Sequence, residues 1–312
     1  MTAVDIAYSG DYLNWRLGEH HPTNPVRAEL AVEMLVEQLP HVDCQARLHE
    51  PSATSAETLA LVHDPGYVRR TLAGDNREWA SWGVTRPDLA HTAALMCGGT
   101  ELLVQRILAG QCDIGFNPMG AKHHAHRDHG SGFCVFNDMA LAATLFTHAG
   151  RRVAYLDIDG HHGDGVEDLT RDNPAVLTFS VHQSGIFPGT GLSSDPAQHV
   201  HNRALPGGTG DRPWLAALAE GIEQAFLFAP DVLLLAIGAD AHESDPLTHL
   251  GVSLDGYALA GRMLGELATS LGCPVLIGGA GGYQPFDMTP RIWASVVTEI
   301  AGAVQRSTTT SP

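Results

Sequence analysis

The sequence predicts one doubly wound α/β domain built on a mostly parallel sheet. Three observations lead there. The runs VAYLDI, VLLLAI and PVLIGG are nearly continuous in apolar residues, as strands buried on both faces must be. Helix-period segments alternate with such strands along the whole chain. Charged and imidazole side chains gather just past the strand ends, the edge where ligands bind in sheets of this kind.

The predicted strands lie near residues 4–8, 43–48, 113–116, 152–158, 175–181, 231–238 and 274–279. Asn24-Pro25 reads as the capped opening of a helix whose Val26, Leu30 and Met34 share one face. Residues 254–271 carry Tyr257, Ala260, Leu264, Leu267 and Leu271 at helical spacing and stop at Gly272. No composition shift marks a boundary, so residues 1–306 are expected to form a single domain, with 307–312 a disordered tail.

At 312 residues, 44% hydrophobic and 17% charged, the chain has material for a sizeable core, which excludes global disorder. Acidic residues outnumber basic ones 35 to 18, a net charge of −17 that repels nucleic acid and anionic membranes. Lys122 is the only lysine. The five cysteines, 44, 97, 112, 134 and 273, form no CxxC pair, which fits free thiols in a reducing compartment. The opening MTAVDIAYSG lacks a basic and an apolar region, and apolar runs such as Val232–Ile237 are far too short to span a bilayer. The expected location is the cytoplasm.

The chemistry is concentrated in a few strings. Asp157, Asp159 and His161 occupy alternate positions at a strand end and would be aimed alike. Asp240, after a different buried strand, can close a two-Asp, one-His metal site. Hard oxygens plus one imidazole suit Zn²⁺, with Fe²⁺, Co²⁺ or Mn²⁺ also compatible. Three protein ligands leave a position open, as catalytic sites do. Two carboxylates make the ion a milder Lewis acid that needs help from nearby donors. His123-His124 offers two adjacent imidazoles for proton transfer, with Asp157 and Asp164 available to fix their tautomers. Tyr283, ending GGAGGY, offers a phenol that can donate to an oxyanion. Phe133 and Phe187, each beside glycine or proline, can wall an apolar slot. His126, His129, His148, His199 and His249 read as structural or surface residues, and His242 is left open.

KHHAHRDHGSGFCVFND, VAYLDIDGHHGDGVED, FSVHQSGIFPGTG, AIGADAHESDPLTHL and GGAGGYQP, in that order, resemble the zinc-dependent histone deacetylase superfamily. Within it the pattern is most similar to the bacterial acetoin-utilisation deacetylases. The likeness runs from GEHHPTNPVR, near residue 18, to about residue 295. It implies the arginase-deacetylase fold, with one central, mostly parallel sheet of about eight strands flanked by helices. It implies zinc on Asp159, His161 and Asp240, His124 as general base and acid with Asp164 behind it, and His123 backed by Asp157 as electrostatic support. Tyr283 would polarise the amide carbonyl. Gly132, Phe133 and Phe187 would line an acyl-lysine tunnel, with Leu247 at its mouth and Arg27 near the exit for acetate. A structural potassium ion would sit on Asp157, Asp159, His161, Ser180 and Val181, mostly through main-chain oxygens.

The implied reaction removes acetyl groups from acetyl-lysine side chains in proteins and releases acetate. The alternative substrate is a small acetylated amine such as a polyamine, and the net charge of −17 suits either cationic partner. The chain departs from the family at Gly120-Ala121 and Ala280, where alanine replaces glycine; both should fit if the backbone φ there is negative. Thr85-Arg86-Pro87 stands where eukaryotic relatives carry an Asp that grips the substrate backbone. A two-manganese, arginase-like hydrolase is disfavoured, because Gly163 and His242 occupy the second-metal carboxylate positions. A non-catalytic acetyl-amine binding module is disfavoured by Tyr283 and His124 both being present.

Overall fold

The computed structural model describes residues 2–18, 21–75, 82 and 88–310, with the backbone alone for 308–310. Eight strands form one sheet: β1 (Thr2–Ala7), β2 (Cys44–His49), β3 (Ile114–Asn117), β4 (Val153–Asp157), β5 (Val176–Gln183), β6 (Val200–Leu205), β7 (Val232–Ile237) and β8 (Val275–Gly279). Their order is β2-β1-β3-β8-β7-β4-β5-β6, and every pairing is parallel. The helices are α1 (Val26–Gln38), α2 (Ala56–Leu59), α3 (Pro65–Leu72), α4 (Leu89–Leu108), α5 (Asp138–His148), α6 (Asp164–Thr170), α7 (Asp211–Phe228), α8 (Leu254–Leu271) and α9 (Met288–Thr310).

The period of two along each strand divides the core between the faces. Ala154 and Leu156 of β4, with Leu233 and Leu235 of β7, pack with α1, α7, α8 and α9. Val153, Tyr155, Leu234 and Ala236 turn the other way, toward α4 and α5. A third cluster joins α2, α3 and part of α4 to the segment around Tyr12 and Trp15. Local signals set the helix ends. Ser253 caps α8 through Gly256 N–H, and Gly272 at φ 62° ends it. Asn137 caps α5 through Ala140 N–H. Register then aligns the strand ends: Asp157 lies beside Ser180 and Ala236, and Ala236 beside Gly278. Loops leaving β3, β4, β7 and β8 therefore meet at one edge.

Three expectations need correction. β6 was not foreseen from the residues, because VHNRAL at the sheet's edge is neither continuously apolar nor cleanly alternating. The helix α9 runs on to Thr310, where a disordered tail from 307 was expected, and Ser307 Oγ bonds back to the Val304 carbonyl. Ala121 adopts φ +50° rather than a negative value. Asp138 holds it there by accepting the N–H groups of Ala121 (3.0 Å) and Lys122 (2.7 Å), which offsets the roughly 1 kcal/mol cost of a left-handed alanine. Ala280 is not among the positive-φ residues. Thr85-Arg86-Pro87 and residues 19–20 lie outside the described residues.

Candidate active site

Asp159 and His161 follow β4, and Asp240 follows β7. One ligand atom from each lies within 4.8 Å of the others, the only such group among the described residues. His161 Nδ1 is 2.8 Å from Asp240 Oδ2 and 3.3 Å from Asp159 Oδ1. Backbone N–H groups hold the carboxylates: Gly281 donates to Asp159 (2.6 Å) and Gly160 to Asp240 (2.7 Å). A side chain at Gly281 or Gly238 would collide with Asp159. The glycines on the strand-end loops thus let three strand ends close around one point.

Two buried carboxylates around one imidazole are poorly balanced. Burial and the Asp159 charge push Asp240 up to about 7, against the pull of His161. Burial also works against Asp159, but His123 and His161 outweigh it and hold that carboxyl below the usual range. Burial alone would lower His161; its hydrogen bonds to Asp159 and Asp240 hold it well above the ordinary histidine value. Oxygen, nitrogen and oxygen donors with surplus negative charge fit a divalent cation such as Zn²⁺.

The two histidines from the loop after β3 stand beside this group, their rings 4.0 Å apart. His123 Nδ1 meets Asp157 Oδ2 at 2.7 Å, and Tyr155 O–H donates to the same oxygen at 2.6 Å. His124 Nδ1 meets Asp164 Oδ1 at 2.7 Å, at the start of α6. Each ring nitrogen facing a carboxylate carries the proton, which leaves Nε2 of His124 as its acceptor. The pair divides electrostatically. Burial lowers both, but the charges of Asp157 and Asp159 bring His123 to about 9. Burial and the His123 charge take His124 down to about 4, despite Asp164. At neutral pH one imidazole is charged and its neighbour is a free base.

Tyr283 completes the ring of polar groups. Its N–H donates to Asp245 (2.8 Å), whose other oxygen accepts from Leu247 N–H (2.9 Å). Burial keeps the phenol well above its ordinary pKa, with Asp240 and Asp159 adding to the effect, so it stays a proton donor. Above these groups opens a mainly apolar cavity of about 340 Å³, lined by Trp82, His124, Gly132, Phe133, His161, Ile186, Phe187, Leu247 and Tyr283. Gly132 (φ 52°) and Phe133 (φ 63°) are consecutive left-handed residues. A Cβ at Gly132 would strike His124 and Phe187, so only glycine lets the slot exist. Arg27 is buried behind Tyr283 and donates to the Gly282 carbonyl (2.5 Å).

The structure therefore brings together all the residues expected for metal, proton transfer and tunnel. Ser180 and Val181 lie one strand away; Ser180 is the register partner of Asp157, and its Oγ bonds His182 Nδ1 at 2.9 Å. His242 turns to Ser244 (2.6 Å) and away from the ligand group. Several participants escaped the sequence reading. His126 bonds both Asp164 (3.2 Å) and Asp168 (3.1 Å), and through Asp164 it bears on His124. Its place two residues after His124 was the available signal. Asp245, Trp82 and Ile186 carried no local signal at all, since they matter only through the loops they meet.

Residues 21–300 match the family model described as the histone deacetylase domain. The acetoin utilization protein AcuC of Bacillus subtilis (strain 168) is 34% identical over 95% of this chain and 81% of its own length. AcuC of Staphylococcus aureus (strain MRSA252) is 29% identical over the same shares. Among solved structures, the HDA15 HD domain superposes with a TM-score of 0.83 at 25% identity, covering 98% of this chain and 92% of that one. The chain belongs to the histone deacetylase family, and its eight-stranded sheet is that of the arginase-deacetylase fold.

Proposed function

We propose that this deacetylase-family domain hydrolyses the acetamide of acetyl-lysine side chains in proteins, releasing acetate. The observation that carries the reading is the placement of a neutral His124 and a protonated Tyr283 beside His161 of the Asp159–His161–Asp240 group, both lining an apolar slot.

Asp159, His161 and Asp240 would hold the catalytic ion, zinc in this reading with Fe²⁺ or Co²⁺ as substitutes. When bound, the ion supplies Lewis acidity that activates a water and polarises the acyl oxygen. The chain's own residues do the rest. The slot walls, Phe133, Phe187 and Leu247, take the alkyl stem and exclude bulk water. His124 Nε2 accepts the proton of the attacking water and later returns it to the leaving amine. Asp164 holds that ring by its Nδ1–H, and His126 anchors Asp164 in turn. His123, kept charged by Asp157, stabilises negative charge as it develops. The Tyr283 hydroxyl donates to the oxyanion, a contribution typically of about 3 kcal/mol. A potassium ion on oxygens of Asp157, Asp159, His161, Ser180 and Val181 belongs to the same reading, supported by the hard donors that β4 and β5 place side by side. Five cysteines, all free, support a cytoplasmic location.

The test is kcat/KM of the zinc-loaded protein on an acetyl-lysine peptide and on acetylputrescine. A peptide preference above about tenfold is expected, a difference of about 1.4 kcal/mol. The reverse preference would make the protein an acetylpolyamine amidohydrolase. Turnover of neither, with zinc bound, would sink the hydrolase reading in favour of an acetyl-amine binding module.

A further inference from the structure

The chain from Ser184 to His199 joins β5 to β6 and supplies two residues of the slot, Ile186 and Phe187. Phe187 is the wall that meets the base: its ring stands edge to face with His124, centroids 4.9 Å apart. Yet Phe187 is 48% exposed, and among the described residues no hydrogen bond joins Phe187, Pro188 or Gly189 to another element. The wall is therefore held from the two sides of this tip. Before it, Ser184 N–H donates to the Leu205 carbonyl at 2.8 Å. After it, the Thr190 hydroxyl lies 2.8 Å from His162 Nδ1. Gly191 comes next, so close to the rings of His162 and His182 that a Cβ would strike both.

His162 is buried, and its other nitrogen is engaged as well: Nε2 meets Glu167 Oε2 at 3.0 Å. The nitrogen facing the carboxylate carries the proton, which leaves Nδ1 to accept the Thr190 hydroxyl. Glu167 gathers the rest of the segment. Its Oε2 also accepts Asn202 Nδ2 (2.8 Å), which reaches the Ser193 carbonyl (3.1 Å). Its Oε1 accepts Arg171 (2.8 Å), which reaches Asp195 (3.0 Å). Burial works against the Glu167 charge, but the bonds from His162 and Asn202 outweigh it and hold the carboxyl down near 2. Glu167 lies on α6, one turn beyond Asp164, which holds His124. One short helix thus supports both the base and the wall that meets it. Neither His162 nor Glu167 takes part in the proton transfers.

Resting on the deacetylase reading, we propose that His162, braced by Glu167, is a positioning residue that fixes Phe187 through Thr190 and restricts the slot to thin, unbranched alkyl stems. Loss of the Thr190 hydroxyl leaves a buried imidazole nitrogen without its donor and releases the tip on the side of Gly189. The wall then swings outward, and the slot takes a stem as thick as a benzene ring.

The experiment uses zinc-loaded wild type, Thr190→Val, Thr190→Ser and His162→Phe. Thr190 is exposed, so the isosteric valine should remove the hydroxyl and leave the fold intact. Acetyl-lysine and acetylated 4-(aminomethyl)phenylalanine are compared within one peptide. Thr190→Val should raise the aryl-to-alkyl ratio of kcat/KM about tenfold, while Thr190→Ser, which keeps the hydroxyl, stays within about threefold of wild type. KM for acetyl-lysine should rise more than kcat falls, because the wall binds the stem and not the reacting atoms. His162→Phe should shift the ratio as Thr190→Val does, and the double variant no further. If His162→Phe does not fold, the two Thr190 variants decide alone. In a protein that hydrolyses acetyl-lysine, an unchanged ratio in Thr190→Val, an equal change in Thr190→Ser, or an additive double variant overturns the proposal. ¹⁹F NMR of protein carrying 4-fluorophenylalanine, with the Phe187 signal assigned by its loss in Phe187→Leu, follows the wall without substrate. A Phe187 signal displaced by Thr190→Val in a protein that hydrolyses nothing would leave the clamp standing and remove the deacetylase reading instead.

Discussion

Buried carboxylates lie both in mid-strand and at the carboxyl edge of this sheet, and the two places treat them oppositely. In mid-strand, Asp5 of β1 has a fully buried side chain but meets Arg47 at 2.6 Å and Arg106 at 2.7 Å. Burial pushes it up, yet the two guanidinium groups outweigh burial and hold it below its usual value. At the carboxyl edge, Asp159 and Asp240 share a single imidazole, and Asp240 is left near 7. The same residue type in the same sheet is balanced in mid-strand and left in charge surplus at the carboxyl edge. Balance marks a group that serves the fold; surplus marks a group that waits for a ligand.

The sharpest way to break this contrast is at the carboxyl edge. His124→Ala should lower kcat about 10³-fold, equivalent to about 4 kcal/mol of barrier, and Tyr283→Phe about 10²-fold, each with zinc still bound. Single-turnover rates with parallel metal analysis check both; wild-type turnover in either variant would remove that residue from the mechanism. In mid-strand, Asp5→Ala should cost about 3–4 kcal/mol of stability in urea melts, because it leaves two arginines facing an emptied site. Its rate per folded molecule should match wild type.

A third change tests whether the site's support shares the frailty of its charges. His63 is buried; its Nδ1 donates to the His126 carbonyl (2.8 Å), and its Nε2 accepts Asn137 N–H (2.9 Å), tying α3's approach to the catalytic loop. Burial holds it down near 4, against that carbonyl bond. The unfolded chain therefore binds the proton first. Stability from this group is full above about pH 6.5 and is lost as pH falls to about 4, by about 3 kcal/mol. Urea midpoints across that window should drop in wild type and flatten in His63→Gln. The smallest effect belongs to Asp240→Asn. In metal-free protein it should leave stability unchanged or raise it by up to about 1 kcal/mol, while abolishing the zinc-dependent rise in Tm. A loss as large as that of Asp5→Ala would mean that the site charges are already balanced.

Much of the site was legible because its chemistry is local in sequence. Asp157, Asp159 and His161 are spaced by the strand's period of two, and His123-His124 are adjacent. What was not legible depends on chain segments that meet only in space. The His126 bridge needs Asp164 and Asp168 to arrive on α6; Asp245 needs the loop of Tyr283 folded over it. The positive φ of Ala121 follows from a carboxylate seventeen residues away.

By itself, then, the sequence determined the elements and the chemistry: apolar runs force buried parallel strands, and metal-ligating residue types at strand ends announce a hydrolytic centre. Tertiary structure decided the charge states and an inner cavity that shares His124 and Tyr283 with the slot. A lone Lys122 in the sequence is an ordinary surface candidate. Lining the same inner cavity as Arg27, it is a buried cation that burial and the Arg27 charge hold down near 8.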